Sequence, residues 1–354
     1  MRIASIVLYS KKDIYSNHFS ILSLNAISTE NRNGKLLLII DKEVAHTLVI
    51  NDQIEIIYFP VYLFTTSLKK TWLRANLFSI LKKHSIEKWF VFGDAFQNFK
   101  KNINFINAES FYQNETLKKL IKSSSVLFVQ NDFLKEKLHE IINCDNQKLT
   151  TAFPGPLYPN LFLDHQKITE IKNNYSDGKE YFLIDEDFDS TNIIMLLKAF
   201  SIFKKWQQSN MKLLIIVNNK NATILSKLIS NYKHRSDVQA IAQNHTKINE
   251  IRFSAYAAIF LNTKGIFSMK AMSFLENEIP IFIQIEESYK FSFEKCSLFF
   301  YNNEQSIAEN LILLYKDEML RNRLIENGKV FCENNNWNVV AKQMLSQIHD
   351  FKNR

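Results

Sequence analysis

Along the whole chain, short uninterrupted apolar runs alternate with longer segments whose apolar positions recur every three or four residues. In the first half the runs are RIASIVLY, KLLLII, IEIIYF, KWFVFG and SVLFVQ. Runs of this length without alternation read as strands buried on both faces, as in parallel sheets. Between or after them, helical spacing covers Ser67–His84, Glu115–Lys122 and Asp132–Ile142. The second half repeats the arrangement: EYFLID, MKLLIIV, DVQAI, AYAAIFL and IPIFIQ as strands, with helices over Asn192–Gln208, Ala222–Tyr232, Lys247–Phe253 and Phe267–Asn277. Two more helices, Gln305–Tyr315 and Glu318–Asn327, close it. The pattern predicts an α/β chain of two Rossmann-like, doubly wound domains, whose ligands would bind beyond the carboxyl ends of the strands. FPGPLYPN holds three of the five prolines and is the expected linker.

Composition narrows this. With 354 residues, 46% hydrophobic and 23% charged, the chain has material for two cores. Only six glycines occur, where average usage would give about 25. No G-x-G-x-x-G or P-loop pattern exists, so a glycine-rich phosphate cradle is excluded. The net charge of +8 suits an acidic partner or, more plainly, a solvated lysine-rich surface. Cys144, Cys296 and Cys332 are scattered and the histidines lack metal-ligand spacing, so neither a disulfide framework nor a metal is expected. A reducing, cytoplasmic setting fits. No zinc finger, helix-turn-helix or ribonucleoprotein motif suggests nucleic acid. The N-terminal apolar run is too short for a signal-peptide core, and no run is long enough to span a bilayer.

Several segments, in order, resemble those of GT-B glycosyltransferases, in particular retaining family 4. SSSVLFVQNDFLKEKL is similar to the end of that family's N-terminal domain, TTAFPGPLYPN to its linker, and YFLIDEDFDSTNIIMLLKAFSIFKKW to the opening of its nucleotide-binding domain. NEIRFSAYAAIFLNTKGIFSMKAMSFLENEIPIFI resembles the donor-site segment, and LYKDEMLRNRLIENGKVFCENNNWNVVAKQML the terminal helices. The resemblance implies an acceptor-side domain over 1–155, a nucleotide-sugar domain over 156–335, and a final helix within 336–354 that crosses back to the first domain.

It also implies chemistry that the residues do not reproduce. The family stabilises the departing diphosphate with an Arg and a Lys early in the second domain. Here Glu186 or Asp187 falls near the arginine position and Thr191 at the lysine position. A carboxylate there would repel phosphate. The family's two glutamates, spaced E-x7-E, correspond to Gly265 and Ser273, with Ile266 and Ser268 replacing the turn glycines. What remains is a helix N-terminus at Phe267, which Ser268 is expected to cap, with Lys264 and Lys270 adding positive charge. The donor candidates are therefore Lys264, Gly265, Ile266, Phe267, Ser268, Met269 and Ser273, with Glu186, Asp187 and Thr191 facing the diphosphate. Ser273 is expected to hydrogen-bond a ribose hydroxyl. In the first domain His18 and Glu109 are the candidates for acceptor contact and acid–base work, against ordinary structural or surface roles.

Two functions stay open. One is a divergent glycosyltransferase that moves a sugar from a nucleotide sugar to a glycan, lipid-linked or protein acceptor in surface-glycan assembly. The other is a pseudoenzyme serving as a binding or scaffold subunit of an active transferase. The Ser67–His84 helix carries Lys69, Lys70, Arg74, Lys82 and Lys83 beside an apolar stripe of Leu68, Trp72, Leu73, Leu77, Ile80 and Leu81. That stripe either packs on the first sheet or lies on the inner face of a membrane.

Overall fold

In the computed structural model, RIASIV forms a first strand, β1 (Arg2–Val7), and its apolar side chains are almost all buried. The structure describes residues 2–7, 14–31, 34–42, 52–63, 65–86, 88–92, 102–106, 126–142, 149–185, 190–263 and 266–350. Beside β1 run β2 (Lys35–Ile40) and β3 (Ile54–Tyr58) on one side. On the other run β4 (Lys88–Phe92), β5 (Asn102–Ile106), β6 (Val126–Val129) and β7 (Leu149–Thr151). The pairings in this sheet are parallel, and the strand order reverses between β1 and β4.

The second sheet is built from β8 (Tyr181–Ile184), β9 (Lys212–Val217), β10 (Val238–Ala242), β11 (Ala257–Phe260), β12 (Ile281–Gln284) and β13 (Ser297–Phe300). Its order is β10-β9-β8-β11-β12-β13, again parallel. Here the reversal lies between β8 and β11. The chain divides into two units, Met1–Gly155 with Asn335–Arg354, and Pro156–Asn334.

In the first unit the helix Thr66–Lys83 starts where the Thr65 hydroxyl accepts from the Leu68 amide. Its Leu73, Leu77 and Leu81 are buried against Ala4, Ile6, Leu37 and Ile39 of the sheet. The apolar stripe is thus core, except that Leu68 is exposed. The C-terminal helix Trp337–Asp350 packs on the helix Ile14–Glu30. Phe19 meets the Trp337 ring edge-on at 5.6 Å, and the buried Lys88 ammonium donates to the Ile348 carbonyl at 3.0 Å.

In the second unit Phe182, Phe200, Phe203 and Phe282 centre the core, with Phe182 edge-on to Phe203 at 5.5 Å. The helix Phe267–Glu276 is buried along nearly its whole length. Gly328 of the helix Glu318–Asn334 lets that helix approach it, since an added Cβ there would lie 3.0 Å from Leu275. β5, β7, β13 and the helices Ile14–Glu30, His165–Ser176 and Glu287–Phe293 are not in the sequence reading. Glu115–Lys122 lies outside the described residues.

Candidate functional site

Asp185 follows the last residue of β8 directly, so its backbone fixes it at the carboxyl end of the strand where the order reverses. Its side chain is 1% exposed and pairs with Arg252, itself 5% exposed: Nε donates to Oδ2 at 2.8 Å and Nη2 to Oδ1 at 3.3 Å. Arg252 belongs to the short helix Ile248–Phe253, and Asn249 one turn earlier accepts from its Nη1 at 2.8 Å. From the helix Phe267–Glu276, Lys270 donates to the Asp185 carbonyl at 2.6 Å and lies 3.4 Å from Oδ1. The Tyr158 ring covers the guanidinium at 4.1 Å. Burial pulls the Asp185 carboxyl pKa up, but Lys270 and Arg252 outweigh it and leave the carboxyl below the ordinary aspartate value. Two cations share one carboxylate, so these three side chains together carry one net positive charge, with Asp185 and Arg252 buried and Lys270 partly exposed.

The same helix ties down the chain after Gly155. Ser273 Oγ accepts from the amides of Leu157 at 2.8 Å and Tyr158 at 2.9 Å, and donates to the Met269 carbonyl at 3.0 Å. A hydroxyl has one proton and two lone pairs. All three are used, and Ser273 is fully buried. Its expected bond to a ribose hydroxyl is therefore corrected to a structural one. Asn277 continues the lacing by accepting from the Leu161 amide at 3.0 Å.

Ser268 departs from expectation too. The N-cap of this helix is Ile266, with no side-chain cap. Ser268 sits in the first turn, and its fully buried hydroxyl has no hydrogen-bond partner among the described residues. Other helices here are capped: Asp164 accepts from Lys167 at 2.7 Å and Asn303 from Ser306 at 2.8 Å. No acidic side chain lies in the first turn of Phe267–Glu276, so its partial positive charge is unanswered by its own residues.

Ile266 is half-buried, whereas Phe267 and Met269 are buried; Phe267 packs edge-on against Tyr289 at 4.6 Å. Thr191 is exposed in the helix Ser190–Gln207. Glu186, Asp187, Lys264, Gly265 and Glu109 lie outside the described residues. His18, half-buried on the helix Ile14–Glu30, has its pKa lowered by burial, which favours a neutral imidazole. Among the described residues no cluster of side chains could hold a metal ion, and no helix is long and apolar enough to cross a membrane.

Sequence reasoning missed Asp185 and Arg252. Arg252 looks like one more surface charge on a short helix, and its partner lies 67 residues away in the chain.

No protein-family model and no curated protein matches the sequence. Solved structures do match over its full length. A glycosyltransferase from Rickettsia africae ESF-5 is 13% identical, with TM-score 0.72 over 99% of this chain and 98% of that one. The Anabaena protein HepE in complex with UDP-glucose is 9% identical, with TM-score 0.70 over 97% and 99%. A putative UDP-N-acetylglucosamine 2-epimerase from Listeria monocytogenes is 9% identical, with TM-score 0.67 over 99% and 96%. The chain therefore has the two-domain GT-B fold. Identities this low speak for the fold alone.

Proposed function

We propose that the chain is a divergent glycosyltransferase-like protein that takes a nucleotide sugar in its second unit, beyond the carboxyl ends of β8 and β11. The first unit serves the acceptor, a glycan, lipid-linked or protein molecule in surface-glycan assembly. The observation that carries the reading is the convergence at that strand end of three features that suit an anion. They are the net charge of the Asp185, Arg252 and Lys270 trio, the uncapped N-terminus at Phe267, and the buried Ser268 hydroxyl. Anions favour such a place because backbone amides and cations both face them. The complex of HepE with UDP-glucose gives the fold a precedent for such a ligand.

One observation favours the second reading, a binding or scaffold subunit. Asp185 already neutralises much of the charge that a departing diphosphate would need. Calorimetric titration with uridine-, guanosine- and adenosine-diphosphate sugars, followed by assay for nucleoside diphosphate release with acceptor, decides. Micromolar binding of one sugar nucleotide with turnover supports transfer. Binding without turnover, or no binding across the panel, supports the scaffold and overturns transfer.

A peripheral position on an anionic membrane face is part of the proposal. Between residues 59 and 86 there are five lysines and arginines and no acidic residue. In that segment Val61 is 89%, Tyr62 66% and Phe78 77% exposed. Phe78 lies four residues from both Arg74 and Lys82, which puts all three along one face of the helix. An exposed phenylalanine flanked by cations suits an anionic lipid surface. Lys69 is excluded from this set, since it is held by Asp41 at 2.5 Å.

A further inference from the structure

The second unit also holds a cavity of about 610 Å³, a volume usual for small-molecule sites. Glu180, Tyr256 and Ile279 line it, and they stand at the amino ends of β8, β11 and β12. It therefore opens at the other end of the sheet from the proposed donor position. The charges around it are paired with one exception. Lys172 holds Glu180 at 2.5 Å, Lys329 holds Glu278 at 3.0 Å, and Arg321 lies 3.7 Å from Glu318. Arg321 is further occupied by the Tyr256 ring, 4.6 Å from its guanidinium. Glu276, half-buried in the wall, has no cation partner among the described residues, and its Oε2 is buried without a hydrogen bond. Burial alone moves its pKa, upward, as it does for a carboxylate that nothing balances. Glu276 is also the last residue of the helix Phe267–Glu276, whose last turn has no basic residue. The partial negative charge of that helix end disfavours a second anion and favours a cation.

The kind of cation follows from the rest of the wall. No described group of side chains could hold a metal ion. Leu161, Leu163, Ile168 and Ile325 are apolar, and Phe162, also in the lining, is 93% exposed. Such a wall suits a hydrocarbon body, and an exposed aromatic ring offers its face to an ammonium. We propose that this cavity binds a small aliphatic amine, with its ammonium on Glu276 and its hydrocarbon body against the apolar wall and Phe162. The ammonium supplies the countercharge and the hydrogen-bond donors that Glu276 lacks within the unit. The site is separate from the nucleotide-sugar reading, so either can fail while the other stands.

The test titrates n-hexylamine, which is charged at neutral pH, into the full chain by calorimetry, with 1-hexanol as the uncharged probe of like shape. The parent should bind the amine at one site, and the alcohol about tenfold more weakly or less, the scale of one charge-assisted hydrogen bond. Glu276→Gln keeps the shape and removes the charge. It should weaken the amine about tenfold, leave the alcohol unchanged, and melt no lower than the parent, since it relieves an unpaired charge. Phe162→Ala, at an exposed position, should weaken the amine about threefold. Glu309→Gln, which removes an exposed charge outside the cavity, should leave it unchanged. No binding of the amine by the parent, binding at many equivalent sites, or equal affinity for amine and alcohol overturns the proposal. So does an equal loss in Glu309→Gln. Unchanged amine affinity in Glu276→Gln overturns it too, or in Phe162→Ala should Glu276→Gln not fold.

Discussion

Replacing Arg252 with methionine probes the buried trio most sharply. Methionine keeps much of the apolar stem but removes the hydrogen bonds to Asp185 at 2.8 and 3.3 Å and to Asn249 at 2.8 Å. It also removes the cation beneath the Tyr158 ring at 4.1 Å. Taking one partner from a buried ion pair costs about 3–5 kcal/mol, because the other charge is stranded. Lys270 stays within 3.4 Å of the same carboxylate, so the lower end, about 3 kcal/mol, is expected for the second unit. Replacing both members, Arg252→Met with Asp185→Leu, should cost less than the two single changes added together. Urea unfolding followed by circular dichroism measures each, and hydrogen exchange assigns the loss to the Pro156–Asn334 unit. Acid supplies an independent check. The folded pKa of Asp185 lies below its unfolded value of about 3.9, so its contribution is complete above that value and disappears as pH falls through the folded pKa. With Arg252 gone, the folded pKa rises and the acid loss should begin at higher pH. A cost under about 1 kcal/mol with an unchanged acid limb would refute the buried pair.

Gly155→Ala should destabilise the first unit by about 2 kcal/mol or more in thermal melts, since its Cβ would fall 2.6–2.7 Å from the Trp337 ring and backbone nitrogen. Gly328→Ala, by contrast, should be within about 1 kcal/mol of neutral, because the tight approach at 3.0 Å is to the end of one side chain, the Leu275 Cδ2 methyl, and alanine favours the helix. Ser273→Ala should cost about 1–3 kcal/mol by orphaning the Tyr158 amide, while the Leu157 amide keeps its bond to the Met269 carbonyl at 2.9 Å, yet leave nucleotide affinity unchanged; a selective loss of affinity would restore its ribose role. Reversing charge at Lys70, Arg74, Lys82 and Lys83 should abolish sedimentation with phosphatidylglycerol vesicles, and unaltered sedimentation would remove the membrane proposal.

Strands such as KLLLII and MKLLIIV announce themselves because both faces of a parallel sheet are covered, which leaves no polar alternation to confuse the pattern. β5 escaped because NINFI alternates asparagine with apolar residues and forms no run. β7 has three residues, two of them threonine, and β13 is a four-residue edge strand, so each is too short to stand out. At the site, matching Ser273 to a family position said nothing of what a serine does there. Its work depends on the Leu157 and Tyr158 amides, 116 and 115 residues away. Lys270 was legible as positive charge near a helix start. That it shares Asp185 with Arg252 follows only from how three separate elements pack.

The most direct test of the account is hydrogen exchange with and without the sugar nucleotide that binds most tightly. The amides of Phe267, Ser268 and Met269 belong to the first turn, where a helix offers them no partner of its own. The account predicts that the ligand slows exchange at these three amides. Saturating ligand that leaves them unchanged, while protecting residues elsewhere, would contradict it.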